Sequence, residues 1–191
     1  MINPFEIFDE KSASKESRSM LRKTKADFGM IPNLEGVMAA APALLSSYVQ
    51  SWASFQACSL TDIEKQVVYM TVNFENNCEY CVPWHSKLSD MAKMPGEEIE
   101  NLRQGRPLND FKLNTLYQFT KSMVRTRGSI VPDDLNKLFE AGYSQQNALE
   151  VVLGVSIKIM SNYTNALAQT PLDSAVKNLS WKKPSLRFNG Q

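Results

Sequence analysis

A chain of 191 residues with 21 Lys plus Arg against 20 Asp plus Glu is nearly neutral at +1, and the two signs are interspersed, which excludes a general nucleic-acid surface. Apolar residues at 43% and charged residues at 21% exclude a disordered or fibrous chain, and the length suits one domain with an arm or tail. Three cysteines are too few for a secreted disulfide scaffold and suit a reducing, cytoplasmic compartment, while a single histidine excludes a metal centre built from several imidazoles.

The opening run Met1-Ile2-Asn3-Pro4-Phe5-Glu6 has no basic region followed by an apolar stretch, so no secretory signal is expected. Lys15 to Phe28 reads as a polar helix stopped by Gly29, with Pro32 just beyond. Its cations Lys15, Arg18, Arg22, Lys23 and Lys25 alternate with Glu16 and Asp27, the pattern of a solvated face. From Gly36 to Thr61 no residue is charged, but Pro42, Ser46, Ser47, Gln50 and Ser51 interrupt the run. It predicts two buried helices meeting near Ala41-Pro42, not a membrane span.

Thr61-Asp62-Ile63-Glu64 has the form of a capping box and leads into Ile63, Val67, Met70 and Phe74 at helical spacing. Asn76-Asn77 breaks that helix, and another is expected from Cys78 to Lys93. Pro95-Gly96 restarts the chain into Glu97 to Arg103, and Gly105-Arg106-Pro107 ends that piece. Asn109 or Asp110 can cap a helix carried by Leu116, Phe119, Thr120 and Met123, and Pro132 opens a further one that Gly142 closes. Ser144 can cap a long final helix whose apolar face would hold Ala148, Val151, Val152, Val155, Ile159 and Tyr163. Strand signals are thin, so the expected fold is all-α with about eight helices. A C-terminal tail from about Thr170 carries the basic and aromatic run Trp181 to Phe188, which reads as a strap on this subunit or a partner.

The run from Asn76 to His85 carries the chemistry. Cys78 and Cys81 lie three apart and His85 four beyond, so on a helix all share one face. At a helix start, exposed N–H groups lower a thiol pKa, and such a pair can close a reversible disulfide. His85 lies one turn from Cys81, within reach of its proton. A structural zinc site and plain packing of buried cysteines are the competing readings. Zinc wants four ligands, and Cys58, on a different expected helix, is the only further thiol. A thioredoxin motif would need a preceding strand, and none is expected.

These residues resemble the alkylhydroperoxidase D and carboxymuconolactone decarboxylase superfamily. The likeness runs from Ile31-Pro32-Asn33 through Leu60 to Val68, then Asn77-Cys78-Glu79-Tyr80-Cys81 to His85, and ends with Ser161-Asn162-Tyr163-Thr164-Asn165 and Thr170-Pro171-Leu172-Asp173. It implies an all-helical domain over 30–173, with a helical arm at 1–29 and a tail at 174–191. It also implies a cofactor-free dimer, trimer or hexamer without a bound metal. In the peroxidase branch the second cysteine attacks the peroxide and the first resolves it. Here Cys81 would become a sulfenic acid, Cys78 would condense with it to a disulfide, and His85 would help deprotonate Cys81. A lipoyl- or thioredoxin-type dithiol would restore the pair.

One position departs from that pattern. The branch's relay glutamate, twelve residues before the first cysteine, is Gln66 here, which can hydrogen-bond but neither gives nor takes a proton. Asp62, one turn earlier on the same face, is the possible stand-in for the relay. A carboxymuconolactone decarboxylase-type lyase and a non-enzymatic, redox-sensing helical oligomer are the alternatives to a thiol-dependent peroxidase.

Overall fold

The computed structural model describes residues 4–184, and among these it is all-helical. Nine α-helices follow in order: α1 Lys15–Phe28, α2 Asn33–Met38, α3 Pro42–Gln56, α4 Asp62–Glu75, α5 Cys81–Met91, α6 Gly96–Gln104, α7 Phe111–Thr126, α8 Pro132–Glu140 and α9 Gln145–Ala168. A short 3₁₀ turn, Ser174–Leu179, ends the described chain. Eight of the helices run to nine residues or more, and the ninth, α2, carries Glu35 and leads into the uncharged segment. None is long and apolar enough to cross a membrane.

The starts and stops follow the residues that announce them. Thr61 and Glu64 close both halves of a capping box on α4, Ser144 and Asn147 do the same on α9, and Asp110 caps α7. Pro42 and Pro132 occupy the first turns of α3 and α8, where a missing N–H costs nothing. α4 is the central rod. Every residue from Glu64 to Phe74 is buried, and α4 packs against α5, α7 and α9. A helix buried all round needs neighbours on every side, and those three supply them.

α9 is turned away from the face its hydrophobicity suggests. Val152 and Tyr163 are exposed, at 45% and 61%, while Gly154, Lys158, Ser161, Asn162 and Asn165 are buried beside Val151 and Ile157. The inward face carries the polar groups of the site, and an apolar count cannot find it. Gly154 sets the approach: a Cβ there would lie 2.7 Å from Val68 and 2.9 Å from Phe55, so α9 touches α4 and α3 with nothing to spare.

The helix α1 and the segment around Trp181 are both tied to the bundle. Ser17, Leu21 and Thr24 of α1 are buried, and the Ser17 hydroxyl donates to the Ala39 carbonyl at 2.8 Å. Trp181 is buried against Phe74 and donates its indole N–H to the Arg103 carbonyl at 2.8 Å. The tail is therefore a strap on its own chain as far as Pro184; Ser185, Leu186, Arg187 and Phe188 lie outside the described residues.

Candidate active site

α5 begins at Cys81, not at Cys78, because Asn77 takes a left-handed backbone (φ 53°) that ends the preceding turn. Cys78 sits just ahead of the helix and serves its first turn. Its sulfur accepts the Cys81 N–H at 3.3 Å and its carbonyl accepts the Val82 N–H at 3.2 Å. The two sulfurs are thus held together at a helix start, although Cys78 is not on the helical face expected for it. Both thiols are free and buried, and the Asn165 amide lies 3.3 Å from Cys81 Sγ and 3.9 Å from Cys78 Sγ. Ser161 Oγ is 3.9 Å from Cys81 Sγ.

His85 is placed differently from the expectation. Its ring is 3% exposed, wedged against Tyr69 at 4.8 Å between centroids, with Trp52 stacked on Tyr69 beyond. Nε2 lies 3.0 Å from Nζ of Lys158, and Nδ1 lies 2.8 Å from Oε1 of Gln66. An ammonium can only donate, so Nε2 accepts and the ring proton resides on Nδ1, donated to Gln66. Burial and the Lys158 charge hold the imidazole well below its usual pKa, so it is neutral. The residue that His85 meets is Lys158, whose charge in turn favours the Cys81 thiolate.

Lys158 is the group the sequence reading missed. It is 1% exposed on α9, borders the same cavity as Cys81, and lies 5.3 Å over the Tyr69 ring. Burial alone pushes the Cys81 thiol up. The Cys78 thiol, the Lys158 charge and the polar groups of Ser161 and Asn162 outweigh that and bring it down to about 6. Cys78 goes the other way, held far above the ordinary thiol range by its bond to Cys81, by burial and by the Cys81 charge. The arrangement therefore has one thiolate, on Cys81, and one thiol, on Cys78.

Of the two relay candidates, Gln66 is brought to the site and Asp62 is not. The Asp62 side chain is 77% exposed and pairs with Lys65 at 3.2 Å. Asp62, the first residue of α4, faces water because the helix is buried only from Glu64 onward. Cys58 is half-buried, with its pKa raised mainly by burial, and is no part of this cluster. Among the described residues no three His, Cys, Asp or Glu side chains converge as a metal would require, so the zinc reading has no ligand set.

The cavity at Cys81 measures about 380 Å³. α1 supplies Lys23, Asp27 and Phe28; α3 supplies Tyr48, Val49 and Trp52; α5 supplies Trp84 and Leu88; Glu35 of α2 completes the wall. Aromatic and aliphatic groups dominate it, and Lys23, Asp27, Glu35, His85 and Lys158 are polar members of the lining with Cys81. Behind it Asp173 accepts from the Tyr80 hydroxyl, from Trp84 Nε1 at 2.9 Å and from the Asn33 N–H at 3.1 Å. That buried clamp fixes the residue between the two cysteines and one aromatic wall.

No protein-family model matches the chain, and no curated protein does. Solved structures match it closely in shape. The alkylhydroperoxidase D core of an uncharacterized peroxidase-related protein from Ralstonia eutropha JMP134 has a TM-score of 0.81 at 13% identity, over 92% of this chain and 95% of that one. A peroxidase-related protein from Silicibacter sp. TM1040 gives 0.75 at 16% identity, over 91% and 94%. The debrominase Bmp8, in a variant bound to 2,3,4-tribromopyrrole, gives 0.76 at 15% identity, over 93% and 96%. The chain has the alkylhydroperoxidase D fold over the 92% and 91% of its length that these two structures match.

Proposed function

We propose that the protein is a thiol-dependent peroxidase that reduces an apolar organic hydroperoxide through Cys81 and Cys78. The observation that carries this reading is a buried free thiol at the wall of an apolar cavity with a second free thiol against it, and the Lys158 charge favours its thiolate. The Cys81 thiolate attacks the outer peroxide oxygen, the O–O bond breaks, and a sulfenic acid and an alkoxide form. The Cys78 thiol then displaces water from the sulfenic sulfur and closes the disulfide. An external dithiol of the lipoyl or thioredoxin type returns both cysteines to the reduced state. Lys158 stabilises the thiolate, and His85, held by Gln66, positions Lys158.

The cavity lining favours a hydroperoxide with a hydrophobic body over hydrogen peroxide, since its aromatic wall offers little to a small polar molecule. The exposed residues Leu149, Val152, Tyr163 and Leu167 on α9 support self-association of the chain. A cytoplasmic dithiol pool would supply the electrons. A second reading has its own support in the aromatic slot formed by Tyr48, Trp52 and Trp84. There Cys81 would take a halogen from a haloaromatic ring, the ring would gain a proton, and Cys78 would expel halide as the disulfide closes.

The test is consumption of cumene hydroperoxide with a dithiol reductant. Wild type turns over, Cys81→Ser does not, and Cys78→Ser accumulates a sulfenic acid at residue 81 that dimedone traps as a mass adduct. Unchanged consumption by Cys81→Ser would overturn the assignment, and a brominated pyrrole in place of the hydroperoxide separates the two readings.

A further inference from the structure

Four acids are buried among the described residues: Glu35, Glu64, Glu98 and Asp173. Three are saturated with donors. Glu64 accepts from the Thr61 N–H at 2.8 Å and pairs with Lys112 at 3.2 Å. Glu98 accepts the N–H groups of Asn109 and Asp110 at 2.9 and 3.0 Å, and Asp173 holds the clamp already described. Glu35 differs. It is 8% exposed, its Oε2 has no hydrogen-bond partner, and it borders the cavity that Cys81 borders. A buried carboxyl oxygen without a partner is costly unless the group carries its own proton, and such groups collect where chemistry needs them.

We propose that Glu35 is the general acid of this site, handing its proton to the leaving oxygen as Cys81 attacks; this rests on the peroxidase reading above. In that step the hydroperoxide and the Cys81 thiolate become the sulfenic acid and an alkoxide, and Glu35 converts the alkoxide to the alcohol. Glu35 is left as a carboxylate. After the external dithiol has reduced the disulfide, Cys81 gives up its proton to become a thiolate again, and that proton restores Glu35. One hydroperoxide and one dithiol are consumed per cycle, and one alcohol, one water and one disulfide are formed. The acid that Gln66 cannot be is thereby supplied from α2.

The charges around Glu35 agree with the role. Burial raises it first, and the charges of Asp173 and Cys81 raise it further; its own backbone N–H and Lys158 oppose them, leaving it at about 8. Tyr48 of α3 and Tyr80, the other titratable groups that feel Glu35, are both held above the ordinary phenol range, so they are neutral. At the cavity rim Lys23 and Asp27 of α1 pair with each other at 2.7 Å. Between about 6 and about 8, Cys81 is therefore a thiolate while Glu35 holds its proton, the combination that attack with acid assistance requires.

The experiment is the pH profile of kcat/KM with cumene hydroperoxide for wild type and Glu35→Gln. Wild type should rise through about 6 and fall through about 8. Glu35→Gln should keep the acidic limb, lose the alkaline one and fall by roughly a hundredfold or more at neutral pH. A full-rate variant with an unchanged alkaline limb overturns the proposal. A readout that needs no turnover is the infrared carbonyl band of protonated Glu35 at neutral pH. The band should vanish in Glu35→Gln, and its midpoint should drop in Cys81→Ser, where the neighbouring thiolate is gone. Absence of the band overturns the acid role whatever the rates. A band present in a wild type that consumes no hydroperoxide overturns the peroxidase reading itself, and with it this step.

Discussion

Asp173 and Glu35 are buried acids of one neighbourhood, close enough that the charge of the first helps keep the second neutral, yet they are built for opposite ends. Asp173 accepts from Tyr80, Trp84 and the Asn33 backbone, so one carboxylate pins the start of α2 and the start of α5 from 89 to 140 residues away in sequence. Glu35 has an oxygen with no partner and faces a cavity. Saturation makes a carboxylate structural, because its charge is already spent on fixed donors. An unsatisfied one is a proton waiting for an acceptor.

Removing each acid breaks the comparison most sharply. Asp173→Ala leaves a buried tyrosine hydroxyl, an indole N–H and a backbone N–H without their acceptor, at a cost of roughly 2–4 kcal/mol. For a chain of this size that lowers the melting temperature by about 5–15 °C. Glu35→Gln should do the reverse at mildly alkaline pH. The folded pKa of Glu35 is raised to about 8 from an ordinary 4.5, so the stability of its neutral form is fully present below about 4.5 and lost as pH rises through about 8. Glutamine carries no such linkage, so the variant should melt no lower than wild type at pH 8. Calorimetry of both variants across that range checks the pair, and equal losses would erase the distinction.

Lys158→Met sharpens the comparison from the cation's side. With the ammonium gone, the bond from Cys78 and the polar groups of Ser161 and Asn162 must offset burial alone, and the Cys81 pKa rises. A rise of one to two pK units cuts the thiolate at pH 7, and kcat/KM with it, by about 2–10-fold. Thiolate absorbance in the ultraviolet follows the shift directly. If the Cys81 midpoint stays at about 6 in Lys158→Met, the lysine is there for packing only.

The helices were legible wherever a local device announces them, such as the Thr61 and Ser144 capping boxes and the prolines at 42 and 132. Spacing picked out the cysteine pair and His85, but not that Cys78 lies ahead of α5 or that His85 meets Lys158. Lys158 and Glu35 were not, because each comes from a helix remote in sequence and only packing brings them to Cys81. A signal did exist. Lys158 and Glu150 are the only charges in the 24 residues of α9, and Glu35 stands alone before the uncharged run from Gly36 to Thr61. A lone charge in an apolar helix is expensive to bury, and one that persists there is marked for use. The apolar periodicity of α9 misled for the same reason: the functional face is the polar one, and it points inward.

Asp62 supplies the smallest expected effect and the clearest contrast with Glu35. It occupies the right turn of α4 for a relay, one turn before Gln66, but sequence position does not decide what an acid does; its surroundings do. At 77% exposure, paired with Lys65 at 3.2 Å, it lies where water screens charge and supplies protons freely. Its loss removes an exposed partner of the buried Lys65 and a first-turn helix charge, and Lys65 keeps its bond to the Gln56 carbonyl at 2.7 Å. Asp62→Ala should therefore cost no more than about 1 kcal/mol and leave the kcat/KM pH profile of wild type intact. A lost limb in that profile would place the proton path at the start of α4 and take it away from Glu35.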